Sequence, residues 1–234
     1  AAHLYADADS GDRAIVPMQF GLIRQIGGAG KRIINCRAET LNEKPMFSSL
    51  LAKGQRCVVI VDGFYEWKSV GGREKQPYFF FSESFNKEPK KKAERSAALD
   101  GVTMIAALFE RRAPKDGAEE TFCYSIVTTR PNAEMKPIHD RMPVVLEDDE
   151  DVETWLDFEG FSTLKALKVL RPCEELEYYP VSKRVGNVAN DGPDLIKPQS
   201  IASFFVKKEA RSPSPRGKRS VTRSPKRRSA SPRR

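Results

Sequence analysis

Histidine is nearly absent from this sequence: its 234 residues hold two, His3 and His139. Chemistry that needs an imidazole has at most those two candidates, and histidine is the one side chain whose ordinary titration falls near neutral pH. Cysteine is scarce as well. The four present, Cys36, Cys57, Cys123 and Cys173, are far apart and form no Cys-x-x-Cys pair. That spacing argues against a thiolate zinc site and a compact disulfide framework. They read as free thiols in a reducing compartment, with Cys57 and Cys123 in apolar runs that belong in a core, and no metal or cofactor is expected. No apolar run approaches the ~20 residues a membrane helix requires. No charged-then-apolar leader opens the chain, so neither a membrane role nor secretion is expected.

Excess positive charge is also missing from most of the chain. The formal net charge is +8, but residues 207–234 carry twelve Lys or Arg against the single Glu209, a net of +11. Residues 1–206 keep 28 basic and 31 acidic groups, a net of −3. Any grip of the body on nucleic acid must come from individually placed arginines rather than from its overall charge. Residues 207–234 hold four Ser-Pro pairs, at 212, 214, 224 and 231, among arginines and lysines with almost nothing apolar. Such a segment cannot bury enough surface to fold. It reads as a disordered, RS-like, phosphorylatable nuclear tail, adding nonspecific affinity for nucleic acid that falls steeply with salt and that phosphorylation would cancel. RNA or nuclear protein partners for it, or a nuclear import signal alone, stay open.

What the sequence does hold is organised around residues 57–67, Cys57-Val58-Val59-Ile60-Val61-Asp62-Gly63-Phe64-Tyr65-Glu66-Trp67. Five apolar residues, mostly β-branched, predict a buried strand up to an Asp-Gly bend. Beyond the bend one carboxylate, Glu66, stands among three aromatics, where loss of water would raise its pKa toward neutrality. Alone, the stretch is better read as an edge strand with aromatics packed inward and Glu66 on its polar face. Two other pieces change the balance: Asn35-Cys36-Arg37-Ala38-Glu39-Thr40 upstream and Ile138-His139-Asp140-Arg141-Met142-Pro143 downstream. The amide of Asn35 can donate to a developing oxyanion, Arg37 can clamp a phosphate with two hydrogen bonds, and His139 supplies an imidazole. Together these are the residue types an acid–base site needs.

Strands are predicted at 14–22, 31–35, 57–61, 76–81, 103–109, 122–129 and 178–181, with 103–109 and 122–129 as an antiparallel pair. Helices are predicted at 41–53, 148–158 and 162–170 from their apolar spacing, the last with Leu164, Leu167 and Leu170 on one face, and Trp155 reads as core. Gly27-Gly28-Ala29-Gly30 reads as a connector, 83–100 as a charged insertion, and 185–192 as turn chemistry.

The ordered motifs NCRAET, DGFYEW, IHDRMPVVL and PVSKRVGNVAN, over roughly residues 14–198, resemble the SOS-response-associated peptidase (SRAP) family. The resemblance implies an α+β fold with a mainly antiparallel, curved, barrel-like sheet core and flanking helices, here spanning 14–206. It implies a nuclear monomer in the DNA damage response that binds single-stranded DNA and captures abasic sites as a covalent thiazolidine, with self-processing peptidase activity. Family roles then fall on Asn35 (placing the amine or sugar), Glu66 (moving protons) and His139 (opening the sugar ring). Arg37 and Arg141 become phosphate clamps, and Phe20 an aromatic against a base, although a core role for Phe20 is equally open. Family members begin Met-Cys-Gly-Arg and use the cysteine exposed on loss of Met as nucleophile. Against that pattern the chain reads as N-terminally truncated, with a disordered start at 1–13 where His3 has no role and with no residue to replace that cysteine. A rival reading makes the body a noncatalytic scaffold, and a third pairs the Cys36 thiol with His139 as a protease.

Overall fold

The computed structural model describes residues 1–7, 11–27, 29–82, 101–112 and 120–199; the insertion at 83–100 and the tail at 207–234 lie outside them. The main sheet is built from β1 (Ala2–Ala6), β2 (Arg13–Val16), β3 (Gln19–Phe20), β6 (Asn35–Arg37), β7 (Arg56–Val61), β10 (Thr103–Arg112), β11 (Thr121–Thr129) and β12 (Met142–Pro143). Its order is β12-β11-β10-β7-β1-β2, with β3 and β6 both laid parallel onto β11. All other pairings in this sheet are antiparallel, and the sheet is open, ending on β12 and β2. The expected mainly antiparallel core is what the structure shows. A second sheet consists of β8 (Phe64–Gly71), β9 (Glu74–Phe81) and β13 (Glu177–Pro180), and β4 (Leu22–Ile26) with β5 (Ala29–Ile33) makes a separate hairpin.

The start of the chain is ordered, contrary to the expectation for residues 1–13. β1 pairs with β7 and β2, with His3 opposite Val59 and Val16 and Tyr5 opposite Cys57 and Ala14. Its burial alternates as a strand's must, His3 and Tyr5 being buried. The polar imidazole broke the apolar alternation that would have announced the strand. The strand expected at 31–35 divides in two: residues 29–33 close the β4–β5 hairpin, and Asn35 begins β6. The break between β3 and β4 falls at Gly21, where φ is +97° and a Cβ would stand 2.9 Å from the Arg32 Cβ.

Three helices cover one face of the main sheet: α1 (Pro45–Ala52), α2 (Asp149–Leu156) and α3 (Thr163–Lys168). Proline opens α1 at a position whose N–H needs no partner. Asp148 caps α2 by accepting from Asp151 N at 2.8 Å, and Asp149, Glu150 and Asp151 follow at its positive end. Phe47, Leu50 and Leu51 of α1 and Val152, Trp155 and Leu156 of α2 pack on Val58, Ala106, Leu108 and Val127. Trp155 is fully buried and its indole N–H donates to the Cys57 carbonyl at 3.0 Å, so it is core, as expected. Leu164 departs from the expected face and lies exposed, α3 burying Ala166 instead. The opposite face of the main sheet carries Tyr5, Val59, Phe109 and Tyr124 with the side of Phe64. That second face is where the candidate residues gather.

Candidate active site

Glu66 is delivered by the β8–β9 hairpin. The entry to β8 is tight: a Cβ on Gly63 would lie 2.2 Å from the Phe80 carbonyl oxygen and 2.5 Å from the Phe79 ring, so only glycine lets the chain pass. Strand alternation then puts Phe64 and Glu66 on one face, opposite Phe80 and Tyr78 across the hairpin. Phe64 and Phe80 stack at 5.4 Å, and that face closes over Met135, Ile138, Met142, Cys173 and Leu176. Tyr65 and Trp67 point to the other face, where Tyr65 meets Phe79. The expected desolvation of Glu66 is thus present, but Phe64, Tyr78 and the loop bearing His139 supply it rather than all three aromatic neighbours in sequence. Burial pushes the Glu66 carboxyl above its ordinary range, and the nearby imidazole of His139 pulls partly against that.

His139 is placed by a loop with its own anchors. Asn132 accepts from Met135 N at 2.9 Å and donates to the Cys173 carbonyl at 3.1 Å, while the Met135 carbonyl accepts from both Ile138 N and His139 N. Buried Met135 and Ile138 pin the loop, leaving His139 at its lip. His139 Nε2 lies 3.7 Å from Glu66 Oε2. At that separation the two interact electrostatically without closing a hydrogen bond, so neither is saturated. The other ring nitrogen, Nδ1, faces the main chain of Arg141, with N–H at 3.2 Å and carbonyl at 3.0 Å. A neutral Nδ1 can accept from that N–H and a protonated one can donate to that carbonyl. The ring can therefore gain and lose a proton without turning. The Asp140 side chain is 91% exposed, with one oxygen 3.5 Å from Nδ1.

The remaining candidates come from the parallel β6–β11 ladder. Asn35 pairs with Ile126 and Arg37 with Thr128, both with exposed side chains, while Cys36 between them is buried. The ladder meets the His139 loop at Thr128, whose carbonyl accepts from Arg141 Nη2 at 2.8 Å. The structure therefore brings Glu66 and His139 into direct contact, with Arg141 one link away. Asn35 and Arg37 stand on the adjoining strand, with no hydrogen bond to the Glu66–His139 pair among the described residues. Arg141 is not a free clamp: both ends of its fork lie on Glu39 at 2.8 Å. Phe20 is 43% exposed and stacked at 5.1 Å on Tyr124, so it offers a ring face to a ligand rather than filling the core.

Cys36 cannot pair with His139 as a protease. Its thiol is buried on the opposite side of β6, where desolvation pushes its pKa up to about 12, the wrong direction for a nucleophile. Sequence reasoning assigned nothing to Glu39 or His3. Glu39 is in the first quoted motif, but its partner lies 102 residues away. His3 is 2% exposed with its ring 4.3 Å from that of Tyr124, beneath Phe20, and burial lowers its pKa. Among the described residues no group of three or more His, Cys, Asp or Glu side chains could hold a metal ion.

A model of the family described as SOS response associated peptidase (SRAP) matches residues 1–188. The chain belongs to the SRAP family. Among similar proteins, the abasic site processing protein HMCES of Xenopus tropicalis is 38% identical over 208 residues, 83% of this chain and 60% of that protein. The abasic site processing protein YoqW of Bacillus subtilis is 35% identical over 170 residues, 72% of this chain and 68% of that protein. A crystal structure of a protein from Bacteroides thetaiotaomicron superposes with a TM-score of 0.56 at 28% identity, covering 71% of this chain and 66% of that one. This SRAP chain thus spans about 60% of the length of the vertebrate relatives it matches.

Proposed function

We propose that this SRAP domain processes abasic sites in single-stranded DNA, with Glu66 and His139 as its proton-transfer pair. The single observation that carries the reading is the 3.7 Å contact between a carboxyl held above its ordinary pKa and an imidazole satisfied in both protonation states. An abasic sugar reacts as its ring-opened aldehyde. Opening it needs a proton removed from the anomeric hydroxyl and one returned to the ring oxygen, and capture by an amine needs further transfers at the carbinolamine. His139 serves the ring opening, and Glu66 the amine and any attacking thiol. Asn35 holds the sugar or the amine, Arg37 meets a flanking phosphate, and Phe20 stacks on a neighbouring base. The names of the frog and bacterial relatives support the substrate class.

A covalent thiazolidine requires an amine and a thiol on adjacent carbons. The four cysteines present are all buried, so the reading assigns the thiol to none of them. We assign self-processing peptidase activity to the same Glu66. The decisive experiment supplies an amine and thiol on adjacent carbons in trans as free L-cysteine, with a single-stranded oligonucleotide bearing one abasic site. The protein is expected to accelerate thiazolidine formation by about tenfold or more over cysteine alone, with Glu66→Gln and His139→Ala each removing the gain. A rate equal to that of cysteine alone, at protein concentrations that saturate the DNA, overturns the reading.

A further inference from the structure

Glu39 lies in the motif that supplies Asn35 and Arg37, yet the proposed function gives it no task. It sits on the 3₁₀ turn Ala38–Thr40 directly after β6. Its carboxylate takes the whole fork of Arg141, with Nη1 donating to Oε1 and Nη2 to Oε2, each at 2.8 Å. The same Nη2 donates to the Thr128 carbonyl of β11. Arg141 is therefore fastened from two elements, and its main chain is what grips Nδ1 of His139. We infer that Glu39 is a positioning residue, acting through Arg141 to keep the His139 ring aimed at Glu66.

Three features of the geometry support this role over a casual surface pair. A bidentate carboxylate–guanidinium contact fixes a plane as well as a distance, which a single-point contact cannot do. Arg141 Nε is buried with no hydrogen-bond partner among the described residues, a cost that an arginine serving only a surface pair would avoid by swinging outward. Finally, both nitrogens of the fork are engaged, Nη1 on Glu39 and Nη2 on Glu39 and the Thr128 carbonyl together. The charges facing His139 are Glu66 from β8 and Asp140 from its own loop, with Lys75 of β9 acting on Glu66 and the Glu39–Arg141 pair closing the side toward β6. Removing the Glu39 charge leaves the Arg141 cation uncompensated near the imidazole and frees the fork to turn. Nδ1 of His139 then loses its fixed partners.

The inference rests on Glu66 and His139 being the reactive pair, but its test reads His139 directly and needs no DNA. The chain has only two histidines, so a long-range proton–nitrogen NMR spectrum of the full chain with its imidazoles neutral resolves both, and buried His3 reports on the fold. In Glu39→Gln the neutral His139 ring should pass from the Nε2–H form, in which Nδ1 accepts from Arg141 N–H, toward a mixture of tautomers, with His3 unchanged. Glu39→Asp, which keeps the charge, should restore most of that signal. An unchanged His139 in Glu39→Gln overturns the inference. So does an equal disturbance of His3, or a Glu39→Gln chain that does not fold, since either makes the pair a brace for the fold and not for His139. If the tautomer signal moves as expected while Glu39→Gln still accelerates thiazolidine formation at the wild-type rate, the positioning inference stands and the reading of the pair as reactive falls.

Discussion

Glu66 is kept where it costs stability. Burial raises its folded pKa above the unfolded value of about 4.5, so the folded chain holds that proton more tightly than the unfolded one. Stability linked to Glu66 is therefore greatest below the unfolded pKa and falls as the pH rises through the folded value. Glu66→Gln removes the buried charge while keeping the shape. It should melt higher than wild type at pH 7.5, lose that advantage below pH 4.5, and be inactive; thermal melts at the two pH values check the sign. Arg56 poses the same question with no function to justify it. It is fully buried between Trp155 and Phe158, its guanidinium nitrogens have no hydrogen-bond partner among the described residues, and burial pulls its pKa down to about 10. Replacing a poorly compensated buried charge with an apolar side chain of similar length is commonly stabilising. Arg56→Met should gain about 1–3 kcal/mol in denaturant unfolding, and a loss of that size would mean the two ring contacts outweigh desolvation. Glu66 and His139 were legible as candidates only through the ordered motifs that hold them, since Glu66 alone reads as a solvated acid on an edge strand; the structure sets the two 3.7 Å apart. Glu39 was not, because an exposed glutamate looks ordinary until a distant arginine is seen to grip it.

At the scale of elements, what the sequence made plain was local. The run 56–61, the paired strands 103–112 and 121–129, and the capped helix after Asp148 each carry their period and their stop signals in contiguous residues. What it hid was nonlocal. The parallel laying of β3 and β6 onto β11 depends on residues about a hundred positions apart, and it is this laying that places Phe20, Asn35 and Arg37 on one strand's flank. The β7–β8 junction shows how narrowly the site is held. With 2.2 Å between a hypothetical Gly63 Cβ and the Phe80 carbonyl, no side-chain movement can relieve the clash, and β8 must shift against β9. Gly63→Ala should therefore destabilise by about 3 kcal/mol or more and displace Glu66 from His139, seen as a lower denaturation midpoint together with lost processing. On β3, Phe20→Ala should leave the fold intact, since the ring is half in solvent. It should weaken single-strand binding about 5- to 100-fold, the worth of one base stacked on an aromatic ring.

Across the whole molecule, charge is divided in a way that separates affinity from selectivity. Residues 1–206 carry a net charge of −3 and residues 207–234 a net of +11, so the body cannot draw in a polyanion by its field. What it can do is hold one strand at a few points, with Arg37 as an exposed cation on β6. Each phosphate neutralised steepens the dependence of single-strand binding on salt by about 0.7 in logarithmic slope. The body alone should show a slope of only about −1 to −2, because few cations are placed to contact DNA. The full chain should be steeper by several units, and phosphorylation at the Ser-Pro pairs should flatten it again. Preference for an abasic over an intact strand should survive removal of residues 207–234, since the groups that would recognise the sugar lie on β6, β8 and the His139 loop. Binding isotherms at three salt concentrations, for both strands and both chain lengths, separate the two contributions. If preference and salt slope disappear together when the tail is cut, the tail is the nucleic-acid-binding part of the protein and the body a scaffold beside it.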